Sequence, residues 1–128
     1  MNQDDFIEIE RIVKVVTERL NVTNAQLISE MKINKVVRAR YYIAFLAAQN
    51  TSVPITYVAR RLRKTHSTLL HGKRKVMDEI ELYPEVKKEL RYLQDDLDYE
   101  PEDARLQKIA ELERRVSDLE ERLKNYRG

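Results

Sequence analysis

The 128-residue chain contains no cysteine, only two glycines and only three prolines. Without cysteine there is no disulfide framework and no thiolate metal site. So few Gly and Pro cannot supply the many tight turns of a sheet protein, so long helices are expected throughout. Charges interrupt every hydrophobic stretch, so no run approaches the roughly 18 apolar residues of a membrane span. No N-terminal stretch combines a basic start, an apolar run and a small-residue cleavage site. A cytoplasmic protein with no membrane partner is therefore expected.

Carboxylates supply the most informative absence. Residues 32–76 carry eleven Lys or Arg and not one Asp or Glu, whereas residues 1–31 sum to −3 and residues 77–128 to −6. The formal net charge of +2 hides this segregation. Mixed-sign runs usually mark a solvated face, but a run of one sign has no local partners and repels itself until an external polyanion neutralises it. Phosphate is the obvious candidate, and the block, once folded, would lie at the nucleoid.

Apolar spacing places the elements. Ile9, Ile12, Val13, Val16 and Leu20 mark a first helix over about 4–20. Thr23 to Gln26 has capping-box spacing for a short second helix burying Leu27, Ile28 and Met31. Val37, Tyr41, Ala44, Phe45 and Ala48 form the stripe of a third helix over 35–49, with Arg38 and Arg40 pointing elsewhere. Thr51 or Ser52 is expected to cap a fourth helix with Pro54 in its first turn and Ile55, Val58, Ala59 and Leu62 inside. Arg63-Lys64 make a tight turn, and a fifth helix begins at Thr65 or His66 with Leu69, Gly72, Val76 and Ile80 as its inner stripe. Gly72 within that helix suggests a close helix crossing. Val86, Leu90, Leu93 and Leu97 predict a sixth helix, over about 84–97, that packs back on the domain.

A short helix, a tight turn and a longer helix over 54–80 is the layout of a helix-turn-helix motif, whose second helix presents its first residues to base edges. His66, Ser67 and Thr68 fall there, and Ser67, His71, Arg74 and Lys75 share the exposed side. Helix capping is the alternative role for Ser67 and Thr68, and helix packing for His71. His66 and His71 have no third ligand or carboxylate within the basic block, so neither a metal site nor a catalytic triad assembles locally, and no enzyme activity or cofactor is expected. The seven Tyr lie mostly at buried or acidic positions, which argues against single-stranded RNA as the ligand.

Beyond an interruption at Tyr99-Glu100-Pro101, Ile109, Leu112, Val116, Leu119, Leu123 and Tyr126 alternate three and four apart. This heptad carries β-branched residues at two of its a positions and Leu at d. Lys108 and Arg115 at g would face Glu113 and Glu120 at e of a parallel partner, which predicts a parallel homodimer. The alternative is that the helix folds back on its own domain. The expected division is thus a DNA-binding domain over 1–98, a linker over 99–104 and a coiled-coil dimerisation helix over 105–128.

The chain also resembles a known family, the C-terminal DNA-binding domain of the bacterial replication initiator DnaA, over about residues 8–95. The likeness rests on Val36-Val37-Arg38-Ala39-Arg40, Ile43-Ala44, Leu46-Ala47 and Pro54-Ile55, and above all on Thr65-His66-Ser67-Thr68-Leu69-Leu70-His71-Gly72 before Arg74-Lys75-Val76. It implies an all-α, Trp-repressor-like helix-turn-helix cluster, here followed by the coiled-coil helix. It further implies that His66, Ser67 and Thr68 read bases in the major groove of double-stranded DNA, that Arg38 or Arg40 enters the minor groove, and that Lys64 contacts phosphate. Thr65 stands where the family has Asp, Ala39 where it has Pro and Tyr41 where it often has Gln; loss of the acidic acceptor at Thr65 is expected to relax or change one base preference. No Gly-rich phosphate loop ending in Lys-Ser or Lys-Thr occurs, so the ATPase module is not expected. Proteins of the replication or transcription machinery are further candidate partners. The competing reading is a protein-interaction adaptor built on the coiled coil, with nonspecific or architectural DNA binding.

Overall fold

The computed structural model describes residues 3–99 and 102–127, and side chains from 4 to 99 and 106 to 125. Within them lie seven helices and no strand: α1 (Gln3–Leu20), α2 (Asn24–Ile28), α3 (Asn34–Asn50), α4 (Ile55–Leu62), α5 (His66–Leu82), α6 (Pro84–Asp98) and α7 (Glu102–Arg127). The chain divides into two units, Met1–Leu97 and Asp98–Gly128. The expected all-α class holds. α7 begins inside the stretch expected to be linker, of which residues 100 and 101 lie outside the described ones.

Ile9, Ile12, Val13 and Val16 are buried at the spacing of one helix face, while Leu20 packs half-buried against the same core. Asn21 ends α1 in the left-handed region at φ 55°. Its N–H donates to Glu18 O and that of Val22 to Thr17 O, which satisfies two carbonyls that the helix end would otherwise leave open. The capping box forms as expected: Thr23 Oγ1 accepts from Gln26 N at 3.1 Å, and Thr23 N donates to Gln26 Oε1 at 2.9 Å.

The third helix departs from its expected stripe. Tyr42 to Ala47 are buried without a break, whereas Val37 and Tyr41 are only half-buried and Ala48 is exposed. α3 is the axis of the domain, with α1, α2, α4 and α5 all packed on it. A helix covered on several sides has no single apolar stripe, and the alanines at 39, 44 and 47 let its neighbours approach. The expected cap of α4 also differs. Thr51 Oγ1 donates to Ala47 O at 2.7 Å and accepts from Val53 N, so it closes α3, and Pro54 occupies the N-cap of α4 without a side-chain cap.

Val86, Leu90, Leu93 and Leu97 bring α6 into the same core, as their spacing predicts. Asn50 and Gln94 exchange amide hydrogen bonds at 2.9 and 2.7 Å, and the Arg19 guanidinium lies 4.7 Å from the Tyr92 ring centre. In the other unit, Leu106, Ile109, Leu112, Val116, Leu119 and Leu123 are each more than half exposed along α7. Arg115 bonds Glu111 four residues back along that helix.

Gly72 meets the expectation of a close crossing. A Cβ there would collide with one edge of the Tyr41 ring, 2.5 Å from Cγ and 2.6 Å from Cε1. Replacing Gly72 by Ala is expected to destabilise the domain by about 1–2 kcal/mol, the overpacking cost exceeding the gain in helix propensity. Chemical denaturation of the single and double variants checks the cause: Gly72→Ala should cost less in a Tyr41→Ala background, because the colliding ring is gone.

Candidate nucleic-acid interface

α4 and α5 form the two helices of the motif, and the turn between them is made without glycine. Arg63 takes φ 55°, ψ 43°, its N–H donating to Arg60 O at 3.2 Å and that of Lys64 to Ala59 O at 2.9 Å. This is the left-handed closure that glycine usually supplies, here at an exposed arginine. Thr65 then caps α5: its Oγ1 accepts from Thr68 N at 3.1 Å and lies 2.7 Å from Thr68 Oγ1. The cap is thus Thr65, one of the two expected starts, and the Thr68 hydroxyl is shared with it.

His66, Ser67, His71, Arg74 and Lys75 are all exposed on α5, as the helical wheel predicts. Behind them Leu69, Gly72 and Val76 are buried, and Ile80 packs half-buried against the core. His71 meets the Tyr41 ring edge-on, 6.2 Å between centroids, so it packs on α3 while remaining in solvent. Thr65 Oγ1 takes the Thr68 N–H, and the positive end of the helix dipole lies at this start of α5, which favours an anion nearby.

Two depressions flank this surface. One of about 760 Å³ is lined by Glu30 and Lys32 from the α2–α3 loop, Tyr41 of α3, and Arg63, Lys64 and Thr65 ahead of α5. The other, about 140 Å³, brings Arg38 of α3 beside Lys75 of α5, with Asn34 and Glu79 on its walls. Arg38 therefore stands next to the exposed face of α5. Lys32 and Arg63 join the surface although sequence reasoning did not single them out. The carboxylate-free run contained both, but only the turn geometry aims Arg63 outward.

Arg40 requires a correction. It is 4% exposed, and its guanidinium is spent on four main-chain carbonyls: Nε on Leu27 O at 2.8 Å, Nη1 on Met31 O at 2.8 Å, and Nη2 on Gln26 O at 3.0 Å and Ser29 O at 2.8 Å. Burial lowers its pKa, opposed by the charges of Glu30 and Tyr41. A side chain held in this way cannot reach a minor groove, so of the two candidate arginines only Arg38 is available. Alternation along a helix cannot reveal this, because the acceptors come from α2 and the loop after it, 9 to 14 residues upstream.

Other cations of the basic block are also tied down. Arg61 donates from Nε and Nη2 to both oxygens of Glu10, at 2.5 and 3.2 Å, and from Nη2 to Asn24 Oδ1 at 2.7 Å. The bond to Glu10 raises its pKa. Lys35 Nζ donates to Asn21 O, and Lys64 Nζ to Ser29 O at 2.6 Å. Arg38, Arg63, Arg74 and Lys75 remain exposed around α5, and no carboxylate lies within 4 Å of them among the described residues.

The fold and this surface define a helix-turn-helix protein with exposed cations on and around its second helix. Residues 9–76 match the family described as bacterial dnaA protein helix-turn-helix, and the chain belongs to that family. It is similar to the chromosomal replication initiator protein DnaA of Bradyrhizobium sp. (strain ORS 278), 34% identical over 94 residues, which are 70% of this chain and 20% of that protein. The corresponding protein of Brucella abortus biovar 1 is 30% identical over 88 residues, 68% of this chain and 18% of that one. The chain thus spans about a fifth of the length of these curated relatives.

The strained turn allows a test of stability against surface charge. Arg63→Gly is expected to stabilise the domain by roughly 0.5–1 kcal/mol, relief of left-handed strain exceeding the added chain entropy. Thermal denaturation reads that gain, and a lower melting temperature would show that Arg63 is held by contacts rather than tolerated.

Proposed function

We propose that the chain binds double-stranded DNA with sequence preference, α5 lying in the major groove with His66 and Ser67 at base edges and Thr68 beside them. Arg38 reaches the adjacent minor groove, and Arg63, Arg74 and Lys75 face phosphates. The supporting observation is the exposed start of α5, flanked by Arg38, Arg63, Arg74 and Lys75, none of which has a carboxylate within 4 Å among the described residues. Membership of the DnaA helix-turn-helix family supports the same reading. Because the relatives are chromosomal replication initiators, the role we assign is regulation of replication initiation or of transcription, in the cytoplasm at the nucleoid.

We further infer that α7 pairs two copies in parallel through Ile109, Leu112, Val116, Leu119 and Leu123, so that a dimer engages two half-sites. The side chain of Tyr126, the last heptad position, lies outside the described ones. A second reading is supported by the cap of α5. Thr65 in place of an acidic residue loses selectivity for cytosine, and its bond to Thr68 occupies one reading hydroxyl, both of which favour weak discrimination. In that case the chain is a coiled-coil adaptor with architectural DNA binding.

Selection from a random duplex pool at near-physiological salt distinguishes the two. An enriched motif supports the sequence reader, whereas salt-sensitive binding without enrichment supports the architectural reading. On a selected site, His66→Ala should weaken binding by roughly 1–3 kcal/mol and leave nonspecific binding nearly intact. Equal losses on selected and scrambled duplexes would place the reading helix elsewhere.

For the dimer, Leu112→Lys combined with Leu119→Lys should leave the helix-turn-helix unit folded and halve the mass measured by light scattering. An unchanged mass would exclude the pairing we infer.

A further inference from the structure

We propose that Lys64 and Arg40 are positioning residues that meet on the Ser29 carbonyl and set the turn ahead of α5, so that Lys64 influences DNA binding by holding the reading helix and not by touching phosphate. The DNA arm of the test below rests on the functional reading above, and the exchange arm does not.

The need for two cations arises in α2. A helix of five residues cannot pair its own last carbonyls, and they carry the negative end of its dipole. Ser29 Oγ donates to Gln26 O at 2.7 Å, and Arg40 supplies donors to Gln26, Leu27, Ser29 and Met31. Ser29 O, accepting from Arg40 Nη2 at 2.8 Å, accepts a second time from Lys64 Nζ at 2.6 Å. Two cations on one oxygen repel each other, and Glu30 lines the same depression and offsets them.

Position makes this bond consequential for α5. Lys64 immediately precedes the cap residue Thr65, and Ser29 lies 35 residues upstream in the α2–α3 loop. The bond therefore ties two loops together at the point where the chain enters the reading helix. Lys64 is half-buried, unlike the exposed Arg74 and Lys75. An ammonium held at 2.6 Å on a carbonyl would have to give up that bond or split it to reach a phosphate, whereas Lys75 gives up nothing comparable.

The test uses the full 128-residue chain with Lys64→Met, which keeps the aliphatic stem, Lys64→Arg, which keeps a donor, and Lys75→Met as the phosphate-contact control. Circular dichroism establishes that each is folded. Without DNA, amide exchange is read at Thr68 and Leu69, whose N–H groups bond Thr65. Lys64→Met should speed exchange there about tenfold, as loss of a charge-assisted bond implies, while Lys64→Arg restores it and Lys75→Met leaves it unchanged. With a selected duplex and a scrambled one, Lys64→Met should lower the ratio of affinities about tenfold with the salt slope unchanged, whereas Lys75→Met lowers the slope by about one. Unchanged exchange in Lys64→Met, or a slope reduced by about one, overturns the proposal. If no sequence is selected at all, the functional reading fails and the exchange measurements still decide the role of Lys64.

Discussion

The contact between Gly72 and the Tyr41 ring sets the distance between α5 and α3, and much of the domain follows from that distance. Without a Cβ at Gly72 the exposed helix settles onto the central one, burying Leu69 and Val76 and turning His66, Ser67, His71, Arg74 and Lys75 outward. The same ring meets His71 edge-on. One aromatic side chain thus supports the crossing from below and a surface residue from the side. Tyr41 is half-buried and also lines both depressions beside α5, so the crossing and the surface share this side chain.

Electrostatics is organised by how much of the basic block is consumed internally. Arg40, Arg61, Lys35 and Lys64 neutralise carbonyls at the ends of α1 and α2 or the carboxylate of Glu10. Those groups carry partial or full negative charge that the helices do not neutralise by themselves. The remaining cations collect around α5, where Glu30 and Glu79 line the flanking depressions but no carboxylate among the described residues lies within 4 Å of them. A surface dominated by cations destabilises the free protein slightly and lowers the energy of the bound state with a polyanion, which is the electrostatic signature of a phosphate-binding face. The short helix α2 therefore affects the interface indirectly, because its open carbonyls decide which cations stay inside.

Among the elements, local signals located boundaries well. The Thr23–Gln26 capping box, the Thr65 cap, the buried positions of α1 and α6 and the exposed face of α5 all depend on spacing within a few residues, which a helix converts directly into faces. The signal failed where the environment came from elsewhere. α3 is covered by four other helices, so Tyr42 and Ile43 are buried although neither lay on its expected stripe, and Ala48 is exposed although it did. Thr51, a good capping residue for the helix that follows it, turns back to close the helix that precedes it.

The amino-acid sequence alone determined that the protein is helical, that its middle third is a carboxylate-free cation block, that a short helix and a turn precede a helix opening with His66, Ser67 and Thr68, and that the tail carries a heptad. Each follows from composition or from periodicity over one or two turns. Tertiary structure alone decided which cations remain at the surface. Arg38 and Arg40 are two residues apart and chemically identical, yet one lines a cleft beside Lys75 and the other is enclosed by four carbonyls. Two residues along a helix are about 200° apart, so their fates depend on what the rest of the chain brings to each side.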